Sequence, residues 1–219
     1  MKNKQENHAK LFSNLGFLQH KFNKSDLLPI RKEVYKILNN FDEHKKQEIN
    51  PQLVGNLERE YELIKCKQYI VELLTPHIIN YTQTFDFLKT LNYNLIDSPI
   101  GLDKAWVNFQ KKYEFNPLHV HSGIITFVIF LDIPYSIEDE IKKSPGTYSL
   151  KCLAGNFEFV YNNSLGAIAQ HNIPADKTYE DVMLMFPAKM PHCAYPFYSS
   201  NKYRITVSGN FIIDNSKKY

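Results

Sequence analysis

The sequence predicts an α+β fold, with helices first and an antiparallel sheet or sandwich after them, and three observations carry that prediction. The chain changes character once, near residue 92. Before that point apolar residues recur at helical spacing. After it about seven short runs rich in Phe, Tyr, Val and Ile are separated by turn residues, as expected of helices packed on one face of a sheet.

The elements follow in order. Ser25-Asp26 offers an N-cap and Pro29 is tolerated in a first turn; Leu28, Ile30, Val34, Ile37 and Leu38 then keep a helical stripe until Asn39-Asn40 stops it. A longer pattern runs from Lys65 to Leu91, and Pro76 is expected to kink or split it, because proline removes a backbone donor and crowds the preceding turn. Strands are expected at Tyr93–Ile96, Lys104–Gln110, Leu118–Ile133, Thr147–Leu153, Phe157–Tyr161, Asp181–Phe186 and Tyr203–Ile213. Ser98-Pro99, Ser144-Pro145-Gly146 and Asn162-Asn163 supply turns. With no repeat and no low-complexity linker, residues 1–219 are expected to form a single domain, helical over 1–92 and sheet-forming over 93–214, with disorder at the polar head and tail.

Composition excludes several classes. The longest apolar run, Ile124 to Leu131, falls far short of the ~20 residues that a membrane-spanning helix requires. A net charge of +3 with scattered lysines is no nucleic-acid footprint. Residues 1–10 lack the apolar core of a secretory signal, and Cys66, Cys152 and Cys193 are odd in number and widely spaced; both point to a reduced, cytoplasmic setting. The absence of CxxC argues against a structural zinc site of the usual kind.

The chemistry concentrates in histidines. His119 and His121 stand two apart in a segment of β-formers, where side chains at that spacing share a face and both imidazoles can reach one metal ion ~2.1 Å from each nitrogen. Two such histidines also fit a plain polar strand face. The third, His192, follows Phe186-Pro187-Ala188-Lys189-Met190-Pro191, where prolines end an apolar strand and fix a turn. The last strand alternates Arg204, Thr206, Ser208 and Asn210 with Tyr203, Ile205, Val207, Gly209 and Phe211. Its polar face either meets solvent or points inward; pointed inward, Arg204 needs an anionic partner, and a bound carboxylate gripped by Arg204 and Thr206 supplies one.

Taken together, Trp106-Val107-Asn108-Phe109, Phe115-Asn116-Pro117-Leu118-His119-Val120-His121-Ser122-Gly123, Phe186-Pro187, Pro191-His192 and Arg204-Ile205-Thr206-Val207-Ser208-Gly209-Asn210 resemble the 2OG-Fe(II) oxygenases of tailed phages and marine bacteria. The resemblance covers roughly residues 103–213, with a fainter echo in Asn56-Leu57-Glu58-Arg59-Glu60-Tyr61. It implies a double-stranded β-helix, or jelly roll, with N-terminal helices packed on one sheet. It further implies Fe(II) held by His119, His121 and His192, and 2-oxoglutarate as cosubstrate with its distal carboxylate on Arg204, assisted by Thr206 and Asn108. The position of Arg204, twelve residues after His192, fits the family spacing. The implied reaction consumes O2 and 2-oxoglutarate, releases succinate and CO2, and hydroxylates an unactivated C–H of an unidentified prime substrate.

The chain departs from the family in one respect: His121 stands where most members place a carboxylate. Two alternatives therefore stay open, a three-histidine, cupin-like metalloenzyme that uses no 2-oxoglutarate, and a non-catalytic, phage-associated jelly-roll module. Edge strands of such a fold also leave a homo-oligomer open. His171 reads as a loop residue, His77 as a packed or rim histidine beside Pro76, and Tyr195, Phe197 and Tyr198 as candidates for a substrate mouth.

Overall fold

The computed structural model describes residues 16–92 and 99–214. Strand β1 (Leu18–Lys21) leads through a 3-10 turn into helix α1 (Leu28–Asn39). That turn is closed reciprocally by Asn23 and Asp26, with Pro29 in the first turn of α1 behind it. After two further 3-10 turns come β2 (Glu60–Glu62), α2 (Lys67–Phe85), the short α3 (Phe87–Thr90) and β3 (Ile100–Gln110). Then follow β4 (Asn116–His119), β5 (Ile125–Asp132), α4 (Ile137–Lys143), β6 (Phe157–Asn162), β7 (Ile168–Ile173), β8 (Val182–Pro187), β9 (His192–Ala194) and β10 (Arg204–Ile213).

Two antiparallel sheets face each other in a jelly roll. The larger runs β1-β8-β5-β10-β3-β2 and the smaller β4-β9-β6-β7. Strand alternation sorts the side chains of the larger sheet into two layers. Ala105, Val107, Phe109, Phe127, Ile129, Met183, Met185, Ile205 and Val207 face the helices and pack on Ile30, Val34, Ile37, Ile70, Leu74 and Ile78. Val128, Phe130, Leu184 and Phe186 face the smaller sheet and meet Phe157, Phe159 and Ile173. The helical layer is one cushion under the large sheet; the space between the sheets is half apolar core and half polar cavity.

The α+β order and the helices on one sheet are as the sequence predicts. Several elements differ. The expected strand Leu118–Ile133 is two strands, β4 and β5, broken at Ser122-Gly123, where Gly123 has φ +88° and an added Cβ would lie 2.6 Å from the Phe211 carbonyl. Pro76 does not split α2, which runs unbroken through it: it lies on the exposed side, where the carbonyl that its ring leaves unbonded can be solvated. The helix breaks instead at Asp86, in the left-handed region at φ 48°. Thr147–Leu153 forms no strand; Tyr148 and Leu150 are fully exposed and no neighbour pairs with the segment. The sequence reading misses β1, β2, β7, β9 and α4, and the expected strand Tyr93–Ile96 lies outside the described residues. All three cysteines are free thiols. Among the described residues no helix is long and apolar enough to cross a membrane.

Candidate metal and cosubstrate site

His119 ends β4 and lies opposite His192, the first residue of β9, in the register of the smaller sheet. His121 sits two residues past the end of β4, so strand alternation does not place it. Two backbone bonds do: His121 N–H donates to the Ala188 carbonyl at 2.8 Å, and Ala188 N–H donates to Ile124 at 2.8 Å. The proline-bounded turn before His192 is thereby tied to the turn after His121.

The three imidazoles converge, with one ligand atom from each lying within 4.8 Å of the others. His121 Nε2 and His192 Nε2 are 3.2 Å apart. Two rings are oriented by backbone carbonyls: His119 Nδ1 donates to Pro117 at 2.7 Å and His192 Nδ1 to Met190 at 2.9 Å. Those bonds fix the tautomer and leave each Nε2 lone pair free, the arrangement that metal-binding histidines use. Phe157 stacks on His192 at 5.5 Å, Phe186 meets it edge-on at 4.8 Å, and Trp106 lies 5.6 Å from His121. Burial among these rings, with the neighbouring imidazoles adding to it, holds the His121 pKa down to about 3 and that of His192 well below the usual range; burial also lowers His119. All three imidazoles are therefore neutral at physiological pH.

The histidines open onto a cavity of about 340 Å³ that runs between the sheets. Its large-sheet wall carries Asn108, Gln110, Thr126, Arg204, Thr206, Ser208 and Asn210, all buried. The polar face of the last strand therefore points inward. Arg204 is 2% exposed. Its Nε and Nη2 both donate to Gln110 Oε1, and its Nη1 donates to the Tyr135 hydroxyl at 2.7 Å and the Gly155 carbonyl at 3.0 Å. Every one of these acceptors is neutral, and among the described residues no carboxylate pairs with Arg204. Its hydrogen bonds are largely satisfied; its charge is not. Asn108 Nδ2 donates to Thr206 Oγ1 at 3.1 Å and, more weakly, to Ser208 Oγ at 3.4 Å, which turns both hydroxyl protons away from Asn108.

No family model matches the sequence, and no curated protein does. Solved structures do match. A Pseudomonas putida prolyl-4-hydroxylase superposes with a TM-score of 0.55 at 11% identity, over 91% of this chain and 94% of that one. A Trichoplax adhaerens prolyl hydroxylase, solved with a hypoxia inducible factor oxygen degradation domain peptide fragment, gives 0.53 at 13% identity over 93% and 86%. A 2OG-Fe(II) oxygenase family oxidoreductase from Burkholderia pseudomallei gives 0.52 at 10% identity over 91% and 85%. The fold is that of the 2OG-Fe(II) oxygenases.

Within this fold the sequence-predicted residues fall together: His119, His121, His192, Arg204, Thr206 and Asn108 all line one cavity. Residues set aside earlier lie elsewhere. His171 is on β7 rather than in a loop, its ring against Phe17, and His77 packs against His20 at 4.3 Å. Cavity residues that sequence reasoning misses are Gln110, Glu60 and, behind Arg204, Tyr135. Gln110 carries a usable signal, since it shares a strand face with Asn108. Tyr135 carries none, because it reaches Arg204 from the loop after β5.

Proposed function

We propose that this protein is an Fe(II)- and 2-oxoglutarate-dependent oxygenase that hydroxylates an unactivated C–H of its substrate. The observation that carries the reading is the convergence of three neutral imidazoles beside a buried, unneutralised arginine in one cavity. The donor set fits a first-row divalent metal: nitrogen ligands of intermediate softness, two of them with their far nitrogens anchored to backbone carbonyls. Iron bound there supplies the oxidising chemistry, coupled to conversion of 2-oxoglutarate and O2 to succinate and CO2.

The protein's own residues bind, orient and exclude. His119, His121 and His192 hold the metal. Arg204 attracts the distal carboxylate of 2-oxoglutarate, and the Thr206 hydroxyl, already accepting from Asn108, donates to the same group. Asn108 thus acts as an orienter of hydroxyls rather than as a direct donor to the cosubstrate. Phe157, Phe186 and Trp106 shield the histidines from water. No side chain is required as a general base.

A second reading, a three-histidine metalloenzyme without 2-oxoglutarate, draws on one observation: the Arg204 donors are already occupied by neutral oxygens. An anaerobic titration separates the two. Addition of Fe(II) and then 2-oxoglutarate to metal-free protein is expected to give a visible metal-to-ligand charge-transfer band, lost or shifted to much higher 2-oxoglutarate concentration in Arg204→Ala and weakened in His121→Ala. Iron binding without the band would favour the second reading; no binding of any divalent metal would sink both.

A further inference from the structure

Glu60 lines the same cavity and has no part in holding the metal or the cosubstrate. It lies on β2 opposite Asn108 of β3, whereas its neighbour Tyr61 packs with Phe41 and Phe109 on the helical side; the Glu60 carboxylate therefore shares the cavity wall with Asn108. The residue is 3% exposed. Its Oε2 accepts one long hydrogen bond, 3.4 Å, from Asn50 Nδ2, whose shorter bond goes to the Leu57 carbonyl at 2.8 Å. Among the described residues no cation lies against it. Burial, reinforced by the Glu114 carboxylate, pushes its pKa up to about 7. Across the strand, Asn108 Oδ1 is also buried and has no donor.

A buried acceptor without a donor, Asn108 Oδ1, beside a buried carboxylate that has one long hydrogen bond and no cation makes an incomplete site, because buried polar atoms are almost always paired and a buried carboxylate needs a countercharge. The same cavity is lined by the apolar Ile49, Leu53 and Val54, and Lys104, which also lines it, donates to Gln52 rather than to Glu60. Arg204 and Glu60 carry opposite charges in one cavity, so they sort ligands: an anion is drawn to the first and repelled by the second. We propose that the prime substrate of this oxygenase carries an ammonium or guanidinium group on an apolar stem, bound by the Glu60 carboxylate and the Asn108 carboxamide oxygen. This rests on the oxygenase reading above and adds the chemical class of its substrate.

The test uses Trp106, the single tryptophan, which lines the cavity and reports occupancy through its fluorescence without iron, 2-oxoglutarate or turnover. Metal-free protein at low salt and about pH 8 is titrated with n-butylammonium, n-butylguanidinium, n-butanol and n-butyrate. The two cations are expected to bind at least about tenfold more tightly than the alcohol, a difference that Glu60→Gln removes and that Asp103→Asn, an exposed carboxylate on the same cavity wall, preserves. Equal affinity for butanol and butylammonium in the wild-type protein overturns the proposal without reliance on any variant. So does cation affinity that Glu60→Gln leaves unchanged, or tighter binding of butyrate. Lysine and Nα-acetyl-lysine methylamide, run alongside, separate a free amine from a peptide-borne one, and binding of either supports the proposal. A charge-transfer band without cation binding leaves the oxygenase reading standing and this one fallen; cation binding without the band overturns the oxygenase reading and leaves a cation-binding cavity with no oxygenase substrate assigned.

Discussion

Single side chains set the chemistry of the cavity, and those with the plainest chemical demands were the ones legible in the sequence. His119 and His192 announce themselves by spacing and by the prolines around them, and Arg204 by its place on an alternating strand. Tyr135, which accepts from Arg204 and donates to the Gly155 carbonyl at 2.9 Å, gives no such signal, because its role depends on a loop reaching across the fold. Tyr135→Phe is expected to cost about 1–2 kcal/mol of stability in urea denaturation, since it removes a buried hydroxyl that serves two partners. It should also weaken 2-oxoglutarate binding several-fold while leaving metal affinity unchanged. Gly123 is a further single-residue device. Gly123→Ala forces a Cβ against the Phe211 carbonyl at positive φ, and a loss of about 1–3 kcal/mol is expected. Because that turn fixes His121, Co(II) affinity measured by its visible spectrum should fall with it.

At the scale of elements, the helices and the long strands were readable from periodicity, and the short strands were not. β2 and β9 are three residues each, too short to show alternation, yet one carries Glu60 and the other begins with His192. The break between β4 and β5 was missed for a different reason: Leu118-His119-Val120-His121 keeps the apolar-polar alternation of a single strand, and only Ser122-Gly123 marks the turn. Helix α2 depends on a partner remote in sequence. The Glu33 carboxylate of α1 accepts from Ile64, Lys65 and Cys66 N–H at 3.0, 3.0 and 2.7 Å, capping the start of α2 with negative charge. Glu33→Ala is expected to destabilise the protein by about 1–3 kcal/mol in urea denaturation, because three backbone donors, that of Cys66 buried, lose a charged acceptor at once. A loss no larger than that of an exposed surface substitution would mean that water replaces the cap.

For the whole molecule, the α+β order and the placing of helices on one sheet follow from the sequence, because the apolar face of each long strand had to be covered by something. What the sequence does not reveal is that the space between the sheets is left partly unfilled. That unfilled space has a thermodynamic signature through Glu60. Its folded pKa of about 7 exceeds that of an unfolded glutamate, so between roughly pH 4 and pH 7 the folded state binds more protons and stability falls as pH rises. The penalty is complete above that window. Glu60→Gln is expected to be more stable than the wild-type protein by about 1–3 kcal/mol near pH 8 and by much less near pH 5, in the absence of ligand. Equal difference at both values would show that the carboxylate is solvated. Divalent metal should act in the other direction, raising the melting temperature of the wild-type protein and leaving that of His119→Ala unchanged.

The unneutralised charge of Arg204 has a practical consequence. A buried guanidinium whose hydrogen-bond partners are all neutral draws in whatever small carboxylate its surroundings offer. Succinate, left behind by the proposed reaction, is an inhibitor competitive with 2-oxoglutarate on this view, and citrate or acetate in a purification buffer is a contaminant of the site. Buffer exchange into chloride or a zwitterion before any titration then becomes part of the measurement, and the rate at which succinate departs sets how soon the next turnover begins.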